Sequence, residues 1–113
     1  MIDYKPTLVA HLRSLGLPVY LENFLKQDTE MPCISYYELN NQAEQEGDTL
    51  GYSNISFNIK IWDKNAKTLA TVGSQLDSLM RSLGFKRTAV NELWLDGIGQ
   101  KQMTYRATAQ ENF

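Results

Sequence analysis

The chain has 113 residues, of which 42% are hydrophobic and 21% are charged, and its formal net charge is −2. This length predicts one domain with one core that folds without a disulfide or a metal, and the near balance of charge argues against broad attraction to nucleic-acid phosphates or anionic lipid. Cys33 is the only cysteine, so no disulfide can form within the chain. No apolar run approaches the length of a membrane span, and the first residues lack the pattern of a secretory signal. We therefore expect a protein that is made and folded in a cytoplasm.

The first predicted element is a short helix that begins near Pro6, since proline fits the first turn, where its missing N–H would be unpaired anyway. Gly16 follows at a position typical of helix ends, and Pro18 then favours extended chain with a short edge strand from Val19. The helix carries a narrow apolar stripe of Leu8, Leu12 and Leu15.

A hairpin with a long tip is predicted next. Residues 33–39 are rich in β-branched and aromatic side chains, which is typical of a strand. From Ile55 to Ile61 apolar and polar residues alternate strictly, which predicts a strand with one face on the core and one in water. Residues 40–48 contain no large apolar side chain and several carboxylates. We therefore predict an exposed acidic loop over residues 40–51.

The second half predicts another helix and another hairpin. Asp63 or Asn65 is the expected cap of the helix, and Gly84 is its expected end. The helix has the strongest apolar stripe in the chain, with members at spacings of three and four: Leu69, Val72, Leu76, Leu79 or Met80, and Leu83. Asp96-Gly97 supplies the turn of the final hairpin, and residues 110–113 are expected to fray.

The order of these elements predicts an α+β fold that occupies residues 1–113 as a single domain. The economical arrangement is a mostly antiparallel sheet of four or five strands, with two helices packed on one face. The other face is expected to be solvated and to carry Ser, Asn, Lys, Gln, Thr and Arg.

The sequence contains no recognisable catalytic or metal-binding constellation. His11 is the only histidine and borders an apolar stripe, so neither a usual zinc site nor a hydrolytic triad can be assembled. The carboxylates Glu44, Glu46 and Asp48 lack apolar neighbours and do not have the spacing of a calcium loop. Phe57 falls in the core register of its strand, which argues against a base-stacking sheet. We expect no enzyme, no cofactor, no metal and no sequence-specific binding of nucleic acid.

Four segments of the chain, in this order and spacing, carry a resemblance to a known family. They are residues 17–20 (LPVY), 31–36 (MPCISY), 57–63 (FNIKIWD) and 79–87 (LMRSLGFKR). In these segments the sequence resembles the small tail terminator and tail completion, or tail-to-head joining, proteins of long-tailed bacteriophages and prophages. The resemblance implies a homo-oligomeric ring, often of six subunits, at the head-proximal end of a virion tail. It also implies assembly in the cytoplasm of a bacterial host, with other tail or head-connector proteins as partners.

Within this resemblance the acidic loop becomes a candidate partner-contact element, the alternative being a solvated loop. Its candidate contact residues are Asn40, Asn41, Gln42, Glu44, Gln45, Glu46, Gly47 and Asp48. The candidate interface aromatics are Tyr36, Tyr37 and Trp94, because alternation leaves one aromatic of each neighbouring pair off the core; the alternative is that they cover strand edges within the monomer. For the whole chain, the alternative function is a small cytoplasmic binding or regulatory domain of unknown ligand.

Overall fold

The computed structural model describes residues 3–22, 29–44 and 52–110. Its elements, in chain order, are α1 (Lys5–Arg13), β1 (Val19–Leu21), β2 (Cys33–Glu44), β3 (Tyr52–Asp63), α2 (Ala66–Ser82), β4 (Lys86–Leu95) and β5 (Ile98–Gln110). The strands form one five-stranded sheet, and the two helices complete an α+β fold. The predicted fold class is therefore confirmed.

The sheet has the strand order β1-β2-β3-β5-β4, with β3 at its centre. All neighbouring strands are antiparallel except β1, which runs parallel to β2 and covers only three of its twelve residues, Ile34 to Tyr36. The sheet is bounded by β1 on one side and β4 on the other. Beyond Tyr36, β2 has no paired strand on that side among the residues that the structure describes.

The core lies between one face of the sheet and the two helices. The alternation along β3 buries all four of its predicted apolar residues, and α2 packs its stripe against them. Each such side chain contributes about 1.5–3 kcal/mol when it is fully buried. The core members from the strands are Ile34, Ile55, Phe57, Ile59, Ile61, Met103 and Tyr105, and those from the helices are Leu8, Leu12, Leu69, Val72, Leu76 and Met80.

The helices begin and end where the sequence predicts. The Asn65 side-chain oxygen accepts a hydrogen bond from the Lys67 backbone N–H at 2.8 Å, which caps α2. Gly16 and Gly84 follow the two helices with φ angles of 84° and 89°. This left-handed conformation ends a helix at little cost in glycine but not in residues with a side chain.

The predicted loop over residues 40–51 is wrong in its first part. β2 continues to Glu44 and pairs with β3 as far as the Glu44–Tyr52 pair. Strand residues of this part are Asn40, Asn41, Gln42 and Glu44, whereas Gln45, Glu46, Gly47 and Asp48 lie outside the described residues. A backbone ladder needs no apolar side chains, so a polar segment can extend a hairpin past the core.

The predicted frayed tail is also corrected at its first residue. Gln110 is the last residue of β5 and pairs with Tyr52 of β3. Residues 111–113 lie outside the described part of the chain. β3 therefore pairs along its whole length, with β2 as far as Glu44 on one side and with β5 as far as Gln110 on the other.

Candidate interaction surface

The most exposed element of the fold is the edge strand β4. All ten of its residues are exposed, and no other described strand pairs with its outer side. Four of them are large apolar residues, with exposed fractions of 40% (Val90), 52% (Leu93), 44% (Trp94) and 76% (Leu95). Single exposed apolar residues are ordinary, but four on one open edge strand form the kind of surface that partners cover.

The position of α2 explains why β4 is exposed. The helix lies over β3 and β5 and has only slight contact with β4. β4 is nevertheless anchored in the sheet by its long antiparallel ladder with β5. The strand is thus fixed in place by its backbone while its side chains remain available.

The hairpin tip beside this strand is rigidly built. Asp96 and Gly97 both have positive φ angles, 52° and 77°, as a tight two-residue hairpin turn requires. The turn sets Trp94 opposite Gly99, and a Cβ atom at Gly99 would lie 2.7 Å from both Trp94 Cζ2 and Leu69 Cδ1. The Trp94 indole N–H donates a hydrogen bond to the Glu92 carboxylate at 3.0 Å. Trp94 is therefore held over Gly99 while almost half of it faces solvent.

The three predicted interface aromatics lie in different places. Tyr36 lies on the helix face of β2 and packs partly against the core, and Tyr37 points to the opposite face. Trp94 lies on β4, at the other side of the sheet, and is the most exposed of the three. The structure does not bring these residues together, and whether any of them contacts a partner stays a prediction.

The face of the sheet away from the helices carries an aromatic cluster that the sequence prediction missed. The Trp62 indole N–H donates a hydrogen bond to Ser35 Oγ at 2.8 Å. Lys60 forms an ion pair with Glu22, and its Nζ lies 5.7 Å from the centre of the Tyr37 ring and 5.9 Å from that of Trp62. The signal was present, because the alternation that places Lys60 on this face also places Trp62 there. The paired lysine and the partly buried rings make this cluster part of the monomer's own structure.

A second polar cluster joins α2 to the start of β4. Asp77 accepts a hydrogen bond from the Tyr105 hydroxyl at 3.0 Å and forms ion pairs with Arg81 at 3.2 Å and Arg87 at 3.3 Å. Burial of Tyr105 raises the pKa of its phenol, and its hydrogen bond to Asp77 raises this pKa further. The phenol is therefore neutral at physiological pH, and the cluster has the character of a structural network.

The residues with the greatest chemical reactivity are not assembled into a site. Cys33 is fully buried, and burial first and the charge of Asp63 second raise the pKa of its thiol to about 11. His11 lies partly buried on α1. Across residues 3–22, 29–44 and 52–110, no three His, Cys, Asp or Glu side chains are grouped to hold a metal ion. Neither helix in these ranges has the length and apolar character needed to cross a membrane.

Comparison with known proteins finds a similar fold but no matching family. No model of a protein family matches the sequence, and no curated protein is recognisably similar to it. The fold is similar to that of a chain in a solved structure of the virion of a native gene transfer agent particle, with a TM-score of 0.52. The similarity covers 88% of this chain and 84% of that chain, at 12% sequence identity. At this identity the similarity establishes a shared fold.

Proposed function

We propose that this protein is a structural component of a phage-like virion and that it acts by contact with other proteins. The observation that carries the proposal is the edge strand β4, whose apolar residues are fixed in place and exposed. The similarity to a virion chain supports the same role, since it extends over most of both chains. Fold similarity alone would be weak support, because one architecture serves many functions.

In its finer form, the proposal is that the chain terminates or completes a tail and contributes to the head–tail junction. Several copies, with six as the expected number, form a ring at the head-proximal end of the tail. The support for this detail is the resemblance of residues 17–20, 31–36, 57–63 and 79–87 to tail terminator and tail completion proteins. The partners are then further copies of this chain and other tail or head-connector proteins. The role requires no catalysis, no cofactor and no recognition of nucleic-acid sequence.

The molar mass in solution tests this proposal. The purified protein is passed through size exclusion with light scattering over a range of concentrations, and the peak fraction is imaged by negative-stain electron microscopy. A discrete ring-shaped oligomer is the expected result. A monomer at every concentration, which also fails to bind purified tails or connectors, would contradict the proposal. A monomer whose melting temperature rises with a small ligand would favour the binding-domain alternative instead.

A further inference from the structure

We infer that the groove between α2 and β4 binds an acidic, extended segment of another protein. Two carboxylates of that segment reach Lys101 and Arg87, and an apolar side chain between them covers Val90. The inference rests on the function proposed above for the source of the segment, which is a neighbouring protein of the virion. It goes further by naming the surface and the chemistry of this partner, and it requires no particular contact between copies of the chain.

The groove follows from the position of α2, which lies over β3 and β5 and leaves the helix-side face of β4 exposed. Val90 belongs to this face, because it pairs with Met103, a member of the core. The groove has a volume of about 400 Å³, and α2 borders it mainly with small residues. Its lining includes Ala70, Gly73, Ser74 and Ser78 of α2, with Val90 and Met103 as the apolar floor. A chain segment can therefore lie beside the helix without displacing a large side chain.

Lys101 places a positive charge in this groove without a carboxylate of its own. Its side chain crosses α2 at Gly73, where a Cβ atom would lie 3.0 Å from Lys101 Cε and 3.4 Å from its Nζ. Its cross-strand neighbour is Glu92, but the Glu92 carboxylate accepts the hydrogen bond of the Trp94 indole instead. Lys101 forms no ion pair with any residue in the described part of the chain. This half-buried ammonium group is free to bind an incoming carboxylate.

Arg87 places a second positive charge at the other end of the groove. Its side chain is 43% exposed and contacts Asp77 through one nitrogen, so further N–H donors remain. Asp77 is the one carboxylate among the described residues that line the groove. Both of its oxygens are engaged, by the Tyr105 hydroxyl, Arg81 and Arg87. The groove therefore has more cationic donors than carboxylates to meet them, and charge complementarity favours an acidic occupant.

The spacing of these groups along the sheet specifies the pattern of the segment. Arg87 is level with Tyr105, and Lys101 lies four residues before Tyr105 on β5, a separation of about 13 Å. Val90 and Met103 lie midway between these two levels. An extended segment places every second side chain on one side. Acidic, apolar and acidic residues at its first, third and fifth positions therefore match the groove.

Nucleic acid and a second copy of the chain match this groove less well. Phosphate backbones are bound by many cations over a broad surface, whereas this groove has two cations separated by an apolar floor, in a chain of net charge −2. A phosphate also gains nothing from covering Val90, whereas an apolar side chain does. The exposed residues of α2 include Lys67 and Arg81 but no carboxylate, so two copies that face each other through this helix would bring like charges together.

Binding of a labelled peptide tests the inference. The probe is a fluorescently labelled synthetic peptide that contains Glu-Ser-Leu-Ser-Glu, and its anisotropy is followed as the purified protein is added at low ionic strength, where screening is weak. The reference peptide has Gln in place of both Glu residues. We expect saturable binding of the acidic peptide and clearly weaker binding of the reference, because only the acidic peptide can pair with both cations.

Two pairs of variants locate the bound peptide. Lys101→Gln should weaken binding by roughly threefold or more, whereas Lys86→Gln, which removes the same charge from the opposite face of the sheet, should bind like the wild type. Ser74→Tyr places a ring in the groove and should also weaken binding. Gln75→Tyr, at the next exposed position of α2 and outside the groove lining, should not. The melting midpoint of each variant checks that the fold is kept.

Equal binding by Lys101→Gln and Lys86→Gln, or no saturable binding of the acidic peptide to the wild type, would overturn the inference. A short DNA duplex that displaces the probe at lower concentration than unlabelled acidic peptide would identify phosphate as the ligand and overturn it too. So would a wild-type oligomer that light scattering no longer detects in Ser74→Tyr, because a second copy would then occupy the groove. The proposed function is judged separately, by the molar mass and by binding to purified tails or connectors, so the two can fail independently.

Discussion

The strands β3 and β4 belong to the same sheet and have similar apolar content, yet they differ completely in burial. β3 buries four apolar side chains almost entirely, whereas β4 leaves every residue exposed. The difference comes from position. β3 has a strand on each side and α2 above it, whereas β4 has a neighbour on one side only among the described strands. The burial of a strand is therefore set by its place in the sheet. Apolar residues without cover within the monomer then indicate cover from elsewhere.

The largest effect on stability should come from a substitution in the buried core that covers β3. Leu76 lies fully buried on α2, in the core above the sheet. We expect Leu76→Ala to lower the free energy of unfolding by about 2–5 kcal/mol, because it removes buried methyl groups and leaves a cavity. A urea denaturation series at fixed protein concentration measures this change. An unchanged midpoint would mean that the core does not hold the fold as described.

The next effect lies where the two regions meet, at the hairpin tip. Gly99→Ala introduces a Cβ atom against Leu69 and the Trp94 ring. We expect this substitution to lower the free energy of unfolding, measured by urea denaturation, by about 1–3 kcal/mol. Adding Trp94→Leu in the same chain should recover part of this loss, because the two sites share the collision. Gly73→Ala is the control, since its new Cβ meets only the flexible end of Lys101 at 3.0 Å. Because this site lies within a helix, Gly73→Ala should leave the free energy of unfolding unchanged or raise it by up to about 1 kcal/mol.

A smaller effect should come from the polar network that links α2 to the base of β4. Tyr105→Phe removes the hydroxyl that donates a hydrogen bond to Asp77. We expect this change to lower the free energy of unfolding by about 1–2 kcal/mol near neutral pH. The folded-state pKa of Tyr105 is raised above the ordinary value of 10.0, so its contribution to stability is complete below pH 10 and is lost as the pH rises through the folded-state pKa. Denaturation midpoints from pH 8 upward should therefore decline less steeply in Tyr105→Phe than in the wild type. Parallel curves would contradict this linkage.

The smallest effect on stability should come from a substitution on the exposed strand β4. Leu95 is 76% exposed, so Leu95→Ala should change the free energy of unfolding of the monomer by no more than about 0.5 kcal/mol. Measurement by urea denaturation at low protein concentration avoids any contribution from association. A loss as large as that of Leu76→Ala would show that β4 is covered within the monomer, and the contrast between the two strands would disappear.

Much of the fold follows from local patterns in the sequence. The alternation along β3, the stripe of α2 and the Asn65 cap are each written in a few neighbouring residues, and the structure confirms them. The extension of β2 to Glu44 could not be found in this way. Its polar residues carry no apolar signal, and the extension depends on pairing with β3 and β5, which is a property of the assembled sheet.

The candidate surface was predictable only in part. From the sequence, Trp94 is a candidate interface aromatic whose alternative is to cover a strand edge within the monomer. Its neighbours Leu93 and Leu95 become candidates for the same surface only once β4 is known to be an edge strand. The strands β2 and β4 each carry a β-bulge that shifts the register, between Glu38 and Asn40 in β2 and between Arg87 and Ala89 in β4. Strand order and bulges arise from long-range pairing, so no local window of sequence contains them.

The two tryptophans of the chain occupy unlike surroundings, and this gives the protein two optical reporters. Trp62 is partly buried and hydrogen-bonded to Ser35 within the monomer, so its emission should respond to loss of the fold. Trp94, near the end of β4, is 44% exposed, so its emission should shift to shorter wavelength when another chain covers it. In a Trp62→Phe chain under conditions where the monomer stays folded, fluorescence excited at the indole band would follow assembly through Trp94, in real time and without any attached dye.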